Sequence, residues 1–275
     1  MIFMNETRPN KRMFEHEGKP LFGGVDALIV AGWTGRDAAA VEHHIRELEA
    51  IGVAPPSAVP LFYRVSATLL GPHTAIEVVG EESSGEVEPM IVRAGGRLWL
   101  GLASDHTDRA LEAHSVALSK QICAKPCASG LWPLDGLDDG PGGETDERAG
   151  DGRGAAPPEA GVAGRRERTA DETPGRLAER LDALELRSWI ADDPASDVWT
   201  LYQEGTLAAI RPLAALLAAS PLAADAADPA AMLCGTLPAI GGVRPANAFR
   251  FELVDPVSNR SLRHEYAVRH LAEVR

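Results

Sequence analysis

Glu86 and Glu88 are two residues apart, and because side chains alternate along a strand, that spacing sends both carboxylates to one face. The stretches 86–92 and 97–103 are apolar and flank Ala94-Gly95-Gly96, the signature of a β-hairpin. With the turn at Gly95-Gly96, facing residues sum to 95 + 96 = 191, which sets Glu86 opposite Asp105. Three acids then meet at the open end of one hairpin. Such a group repels itself without a cation, and hard oxygen ligands of this kind suit Mg²⁺, Mn²⁺ or Ca²⁺. The same Glu-x-Glu on a solvated strand would be plain surface, and spacing alone leaves both readings open.

Read as a helix, 105–121 places Asp105, Arg109 and Glu112 at i, i+4 and i+7 on one stripe. Arg109 would then clamp a substrate carboxylate or carbonyl beside the cation, or else form an ordinary surface ion pair. His44 and Glu47, three apart in a helix expected over 38–51, share a face, so the carboxylate can orient the imidazole and raise its basicity for taking a proton from water. A solvent-facing pair would do neither. His43 is expected on a different face.

The elements that must position these residues are short. A strand is expected at 25–30, then the 38–51 helix, capped by Asp37 and stopped by Gly52. Strands follow at 61–70 and 74–79, then the hairpin, in which Pro89 argues for an edge or a bulge. After the 105–121 helix, the tract 138–176 holds one valine and no Leu, Ile, Phe, Met or Trp, so it cannot offset its ordering entropy by burial and reads as a disordered insertion. The pattern resumes with a strand at 184–190, a segment 201–217 containing a helix, the run Met232-Leu233-Cys234, a strand at 249–254 and a closing segment at 261–271. Many short strands around few helices predict an α+β, β-rich architecture: a loose leader over 1–20 and one domain over 21–275, interrupted at about 136–178.

Composition excludes several classes. The 275-residue chain has a net charge of −13 and 45% apolar residues, so it buries a core but lacks the cationic surface that nucleic acid requires. Cys123, Cys127 and Cys234 are odd in number and scattered, as for reduced thiols in the cytoplasm that serve packing. No apolar run approaches the roughly 20 residues of a membrane span. Gly-x-Ser-x-Gly and phosphate-binding glycine loops are absent.

The order of these motifs resembles the fumarylacetoacetate hydrolase superfamily. The residues that carry the resemblance are Gly85-Glu86-Val87-Glu88, then Asp105 with Arg109 at +4, then Lys125 within Cys123-Ala124-Lys125-Pro126. Gly32-Trp33 through His44-Ile45-Arg46-Glu47 is similar to the segment bearing its His-x-x-Glu pair, and Pro60-Leu61-Phe62-Tyr63-Arg64 to its proline and aromatic stretch ending in a basic residue. Tyr202-Gln203-Glu204-Gly205-Thr206 and Cys234-Gly235-Thr236 resemble its Gln-x-Gly and Gly-Thr-Pro loops. The likeness is to an uncharacterised prokaryotic branch. Glu112 stands where many members carry Gln, Asp108 replaces a small residue, and Leu237 separates Thr236 from Pro238.

The resemblance implies a fumarylacetoacetate hydrolase-like fold, with a mixed β-sandwich or roll flanked by a few helices, in a homodimer. It implies Glu86, Glu88 and Asp105 on a divalent ion, His44, Glu47 and Lys125 as catalytic residues, and Arg64, Arg109, Glu112, Gln203 and Thr236 toward an anionic small-molecule substrate. Lys120 competes with Lys125 for its place, but Lys125 matches the family interval. The implied activity is hydrolysis of a carbon–carbon bond in small dioxo or 2-oxo acids. Decarboxylation, isomerisation or dehydration on the same scaffold is the alternative, and a non-catalytic oxo-acid-binding protein a third reading.

Overall fold

A computed structural model of the chain describes residues 13–50, 54–134, 173–223 and 227–274. Two mixed sheets carry the fold. The six-stranded sheet runs in the order Trp132–Pro133, Arg97–Ser104, Val87–Ala94, Ala230–Leu233, Ala27–Gly32, Leu61–Val65. The five-stranded sheet runs Thr200–Thr206, Glu185–Ala191, Ala248–Asp255, Arg260–Leu271, Ala75–Val79. Each contains one parallel pair, and the other neighbours are antiparallel. The β-rich, mixed architecture expected from the sequence is the one observed.

Strand periodicity explains the packing. In the six-stranded sheet Ala27, Ile29, Ile91, Leu100, Leu102 and Met232 belong to one apolar cluster, shared with Leu186, Ile190, Phe249, Phe251 and Leu253 of the other sheet. The alternate residues Leu28, Val30, Met90, Val92, Ala231 and Leu233 form a second cluster on the opposite face. A sheet buried on both faces is largely apolar, which is why Ala27–Gly32 and Ala230–Leu233 read as unbroken hydrophobic runs.

Phe14, 1% exposed, covers that second cluster. The short strands Glu15–His16 and Lys19–Pro20 pair with each other, and the Glu15 N–H donates to the Ser129 carbonyl at 2.9 Å. Residues 13–20 are therefore tied to the fold through Phe14 and the paired strands, with Glu15 and residues 17–20 exposed, rather than forming a loose leader; the rest of that expectation, 1–12, lies outside the described residues.

The hairpin has the expected register, from Val87 opposite Ser104 to Ala94 opposite Arg97, across a turn in which Gly95 and Gly96 have φ of 59° and 75°. Positive φ at both central residues is the geometry that twists correctly into two strands and favours glycine. Pro89 forms neither an edge nor a bulge. It lies one residue beyond the span 90–93 that pairs with Ala230–Leu233, and its carbonyl accepts the Cys234 N–H at 3.0 Å.

Other expectations change. The strand expected over 61–70 ends at Val65, gives way to a 3-10 turn at Ala67–Leu69, and resumes only as Leu70–Gly71. The segment 201–217 is strand first and helix last, with the helix at Leu213–Ala219. The single helix expected over 105–121 is a short strand, Thr107–Asp108, followed by helices Arg109–Glu112 and Val116–Gln121. Asp108 and Ser115 break it, each capping a new helix by accepting an N–H, from Leu111 at 2.8 Å and from Leu118 at 3.3 Å. Helix Thr173–Asp182 overlaps the end of the tract expected to be disordered, 136–178, and Arg180 ties it to Asp255 of the five-stranded sheet at 2.7 Å. The rest of that tract, and Gly52 as a helix stop, fall outside the described residues.

Candidate active site

The open end of the hairpin brings the acids together as the strand arithmetic requires. The Asp105 N–H donates to the Glu86 carbonyl at 2.9 Å, one step beyond the Val87 and Ser104 pair. Asp105 is fully buried, Glu88 is 3% exposed, and the Glu86 side chain is 16% exposed. Burying three carboxylates demands compensation, because an isolated charge in low dielectric is expensive.

That compensation comes from the chain itself. Arg109 reaches Glu86 with Nη2 at 2.9 Å, Glu112 with Nη1 at 2.8 Å and the Ser84 hydroxyl with Nε at 2.7 Å. Lys120 donates to Asp105 Oδ2, and the Lys125 ammonium lies 3.0 Å from Asp105 Oδ1 and donates to the His106 carbonyl at 2.5 Å. Burial alone would raise the Asp105 carboxyl, but the two ammonium groups hold it well below the usual carboxylate range. Burial lowers Lys125, and Asp105 restores only part of this. Glu88 makes no salt bridge among the described residues: its Oε2 accepts the Gly235 N–H at 2.7 Å, and burial and then the charge of Asp105 push it well above the usual range, against the smaller opposing effect of Lys120. The three acids are thus neighbours that hold separate partners. Among the described residues no three His, Cys, Asp or Glu side chains converge closely enough, as they stand, to hold a metal ion.

Two residues expected to contact substrate have a different duty. Gln203 is fully buried and its amide is saturated: Oε1 accepts from the Val87 N–H at 3.0 Å and the Ser188 hydroxyl at 2.9 Å, and Nε2 donates to Thr236 Oγ1 at 2.7 Å and the Leu237 carbonyl at 2.6 Å. Thr236 in turn gives its one O–H proton to the Val87 carbonyl at 2.7 Å. Neither has a donor left for a substrate. Together they grip Val87 from both its N–H and its C=O, and so fix the strand between Glu86 and Glu88.

Gly235 has a φ of 99°, and a Cβ there would sit 1.6 Å from Thr34 Oγ1, so no side chain is tolerated where the backbone turns its N–H to Glu88. Lys125, also fully buried, sits behind Asp105 and positions it.

The helix that carries the expected His–Glu pair is open to solvent. Helix Ala38–Ala50 starts where expected, with Asp37 Oδ1 accepting from Ala39 and Ala40 at 2.9 and 3.1 Å. His44 Nδ1 is 3.5 Å from Glu47 Oε2, and His43 Nε2 is 3.3 Å from Glu47 Oε1, so both histidines reach the carboxylate that only His44 was expected to share. All three side chains are more than half exposed. The His44 ring lies 6.0 Å from that of Trp33, which precedes the Thr34 packed on Gly235. Arg64 is exposed on strand Leu61–Val65.

Sequence reasoning gave no role to Tyr63 or His106, and it set Lys120 as a rival of Lys125. Lys120 shares Asp105 with Lys125 instead of competing for one place. Tyr63 presents its ring 5.9 Å from the Lys120 ammonium. His106 bonds the Tyr266 hydroxyl with Nδ1 and the Ser83 hydroxyl with Nε2, both at 2.9 Å, and burial together with Lys125 and Arg109 lowers it to about 3, so it stays neutral. Its position next to Asp105 was the available signal. Cys123, Cys127 and Cys234 are buried free thiols, raised by burial, in keeping with packing.

The sequence profile described as "Protein of unknown function (DUF2848)" matches residues 31–140 and 174–266. The chain belongs to the DUF2848 family. No curated protein matches its sequence. Among solved structures, this DUF2848 chain is similar to fumarylpyruvate hydrolase from Pseudomonas aeruginosa in complex with Mn²⁺ and pyruvate, with a TM-score of 0.56 at 12% identity over 98% of this chain and 100% of that one. It is similar also to yeast ynq8, a fumarylacetoacetate hydrolase family protein, with a TM-score of 0.54 at 13% identity over 91% and 97% of the two chains. The DUF2848 chain therefore has the fold of fumarylacetoacetate hydrolase family proteins, as its motif order led one to expect. Among its described residues, no helix is long and apolar enough to cross a membrane.

Proposed function

We propose that the chain is a divalent-metal-dependent hydrolase of small dioxo or 2-oxo acids, acting at a carbon–carbon bond. The observation that carries this reading is the hairpin end, where Glu86, Glu88 and Asp105 are held together in a fold shared with enzymes of that chemistry. The donor set fits a small divalent ion. Its ligands are hard carboxylates, and burial together with the neighbouring Asp105 charge raises the proton affinity of Glu88. An ion held by these three acids, Mg²⁺ or Mn²⁺ before Ca²⁺, would supply Lewis acidity toward a bound 2-oxo acid.

The chain's own residues do the rest. Arg109, whose side chain is 17% exposed, keeps N–H donors beyond those used on Glu86, Glu112 and Ser84, and with Arg64 it takes the substrate's carboxylate. Glu112 orients Arg109. His44, steadied by Glu47, accepts a proton from water as the oxygen adds to the carbonyl carbon. The carbon–carbon bond then breaks with its electron pair passing to the 2-oxo acid fragment, and a proton delivered to that carbon leaves two acids.

The exposure of His44 and Glu47 supports a second reading, in which decarboxylation, isomerisation or dehydration proceeds without an activated water. A cytoplasmic homodimer goes with either reading, and light scattering on the eluted protein checks the dimer.

The deciding experiment strips metal with a chelator, restores Mg²⁺ or Mn²⁺, and offers a panel of 1,3-diketo and 2-oxo acids in ¹⁸O-labelled water. Turnover that returns only with the ion, with label in a released acid, is expected; full activity in the stripped protein overturns the proposal, and unlabelled products favour the second reading.

A further inference from the structure

Lys120 is placed unlike any other cation of the site. It belongs to helix Val116–Gln121, is 7% exposed, and donates to Asp105 Oδ2 on the side away from Lys125. Its ammonium lies 5.9 Å from the Tyr63 ring and bonds Asp105. Burial would lower its proton affinity, but Asp105, Glu86 and Glu88 all act on it and hold it above the ordinary lysine range. Arg109, by contrast, answers to Glu86 and Glu112, and Lys125 to Asp105. Lys120 is thus bonded directly to one of the three acids, Asp105, and shares it with Lys125.

We propose that the Lys120 ammonium is the resident cation of the acid cluster, and that a divalent ion enters only by displacing it from Asp105. This rests on the metal reading given above. Lys120 and a divalent ion seek the same carboxylate oxygen, and two cations in contact repel, so both do not stay. A lysine suits such an exchange because its flexible stem ends in a compact charge. Of the two ammonium groups on Asp105, Lys120 is the one whose side chain reaches the surface, 9% exposed against 0% for Lys125, so it is the one that can swing toward solvent. A monovalent ion would gain nothing over the ammonium it replaced, so the exchange also selects for doubly charged ions.

Two measurements on the metal-stripped chain test this. The first is reductive methylation read by peptide mass spectrometry, with exposed Lys19 as the internal reference. Saturating Mn²⁺ is expected to raise Lys120 labelling at least fivefold and leave Lys19 unchanged, while Na⁺ or K⁺ at equal ionic strength has no effect. The second is calorimetric titration with Mn²⁺, in which Lys120→Met is expected to bind at least tenfold tighter than the wild type. Lys120 that stays protected while Mn²⁺ binds overturns the exchange and leaves the metal reading standing, as does a Lys120→Met variant that binds no tighter. Absence of Mn²⁺ binding in both proteins removes the metal reading and the exchange with it. If Lys120→Met does not fold, labelling of the wild type decides alone.

Discussion

The hairpin end and the helix Ala38–Ala50 supply the two halves of the proposed site, and they are built on opposite terms. At the hairpin end the acids are buried and held by contacts from elsewhere in the chain: Gly235 on Glu88 and Gln203 on the intervening Val87, both more than 100 residues away, and Lys125 on Asp105. On the helix, His44 and Glu47 meet within a single turn, in water, with His43 reaching the same carboxylate. Buried charge survives only where the surrounding structure over-determines it, whereas an exposed pair contributes little to stability and is free to move. The contrast separates a half that holds its shape from a half that can adapt to a ligand.

The sharpest way to break that contrast is Asp105→Asn, which keeps the shape but leaves two buried ammonium groups without their counter-charge. It should cost about 3–5 kcal/mol in urea unfolding; a loss under about 1 kcal/mol would mean that Lys120 and Lys125 relax to water and the hairpin end is not rigid. Gln203→Leu comes next, since it strands the Val87 N–H and the Ser188 hydroxyl, at about 2–3 kcal/mol by the same measurement.

Asp255 extends the rule to the far sheet. Burial would raise it, but hydrogen bonds from Arg180 and Ser258 hold it near 2. Its folded value is below its unfolded one, so it contributes about 2 kcal/mol that is present above about pH 4 and lost as pH falls toward 2. Asp255→Asn should flatten the acid limb of a plot of stability against pH, and an unchanged limb would assign that slope elsewhere. Last, His44→Ala should leave stability within about 0.5 kcal/mol while lowering kcat about 10²- to 10⁴-fold. A stability loss as large as that for Gln203→Leu would erase the distinction between the two halves.

The same division explains what could be read from the sequence. The hairpin was legible because Gly95-Gly96 fixes its register locally, and a period of two then carries Glu86 to Asp105 without reference to the rest of the chain. The helix at Ala38–Ala50 was legible for a similar reason, with Asp37 as its cap. The helix expected over 105–121 was not, because Asp108 and Ser115 look harmless in a periodic pattern and reveal themselves as caps only once their neighbours turn. That break lets Lys120 share Asp105 with Lys125. Gln203 and Thr236 were placed at the site by resemblance, but their saturation by Val87 depends on partners more than 100 residues away, which no local pattern encodes. Phe14 sits in a polar, charged stretch, and its burial depends on a hydrophobic face formed by strands that come later in the chain.

One consequence follows from the way Arg109, Lys120 and Lys125 are distributed around Glu86 and Asp105. A nascent chain carries its own counter-ions into the interior, so it can close its core where free inorganic ions are scarce. On the proposed metal reading, maturation would separate into two events: assembly, driven by internal charge pairing, and a later loading step that external supply could start or reverse.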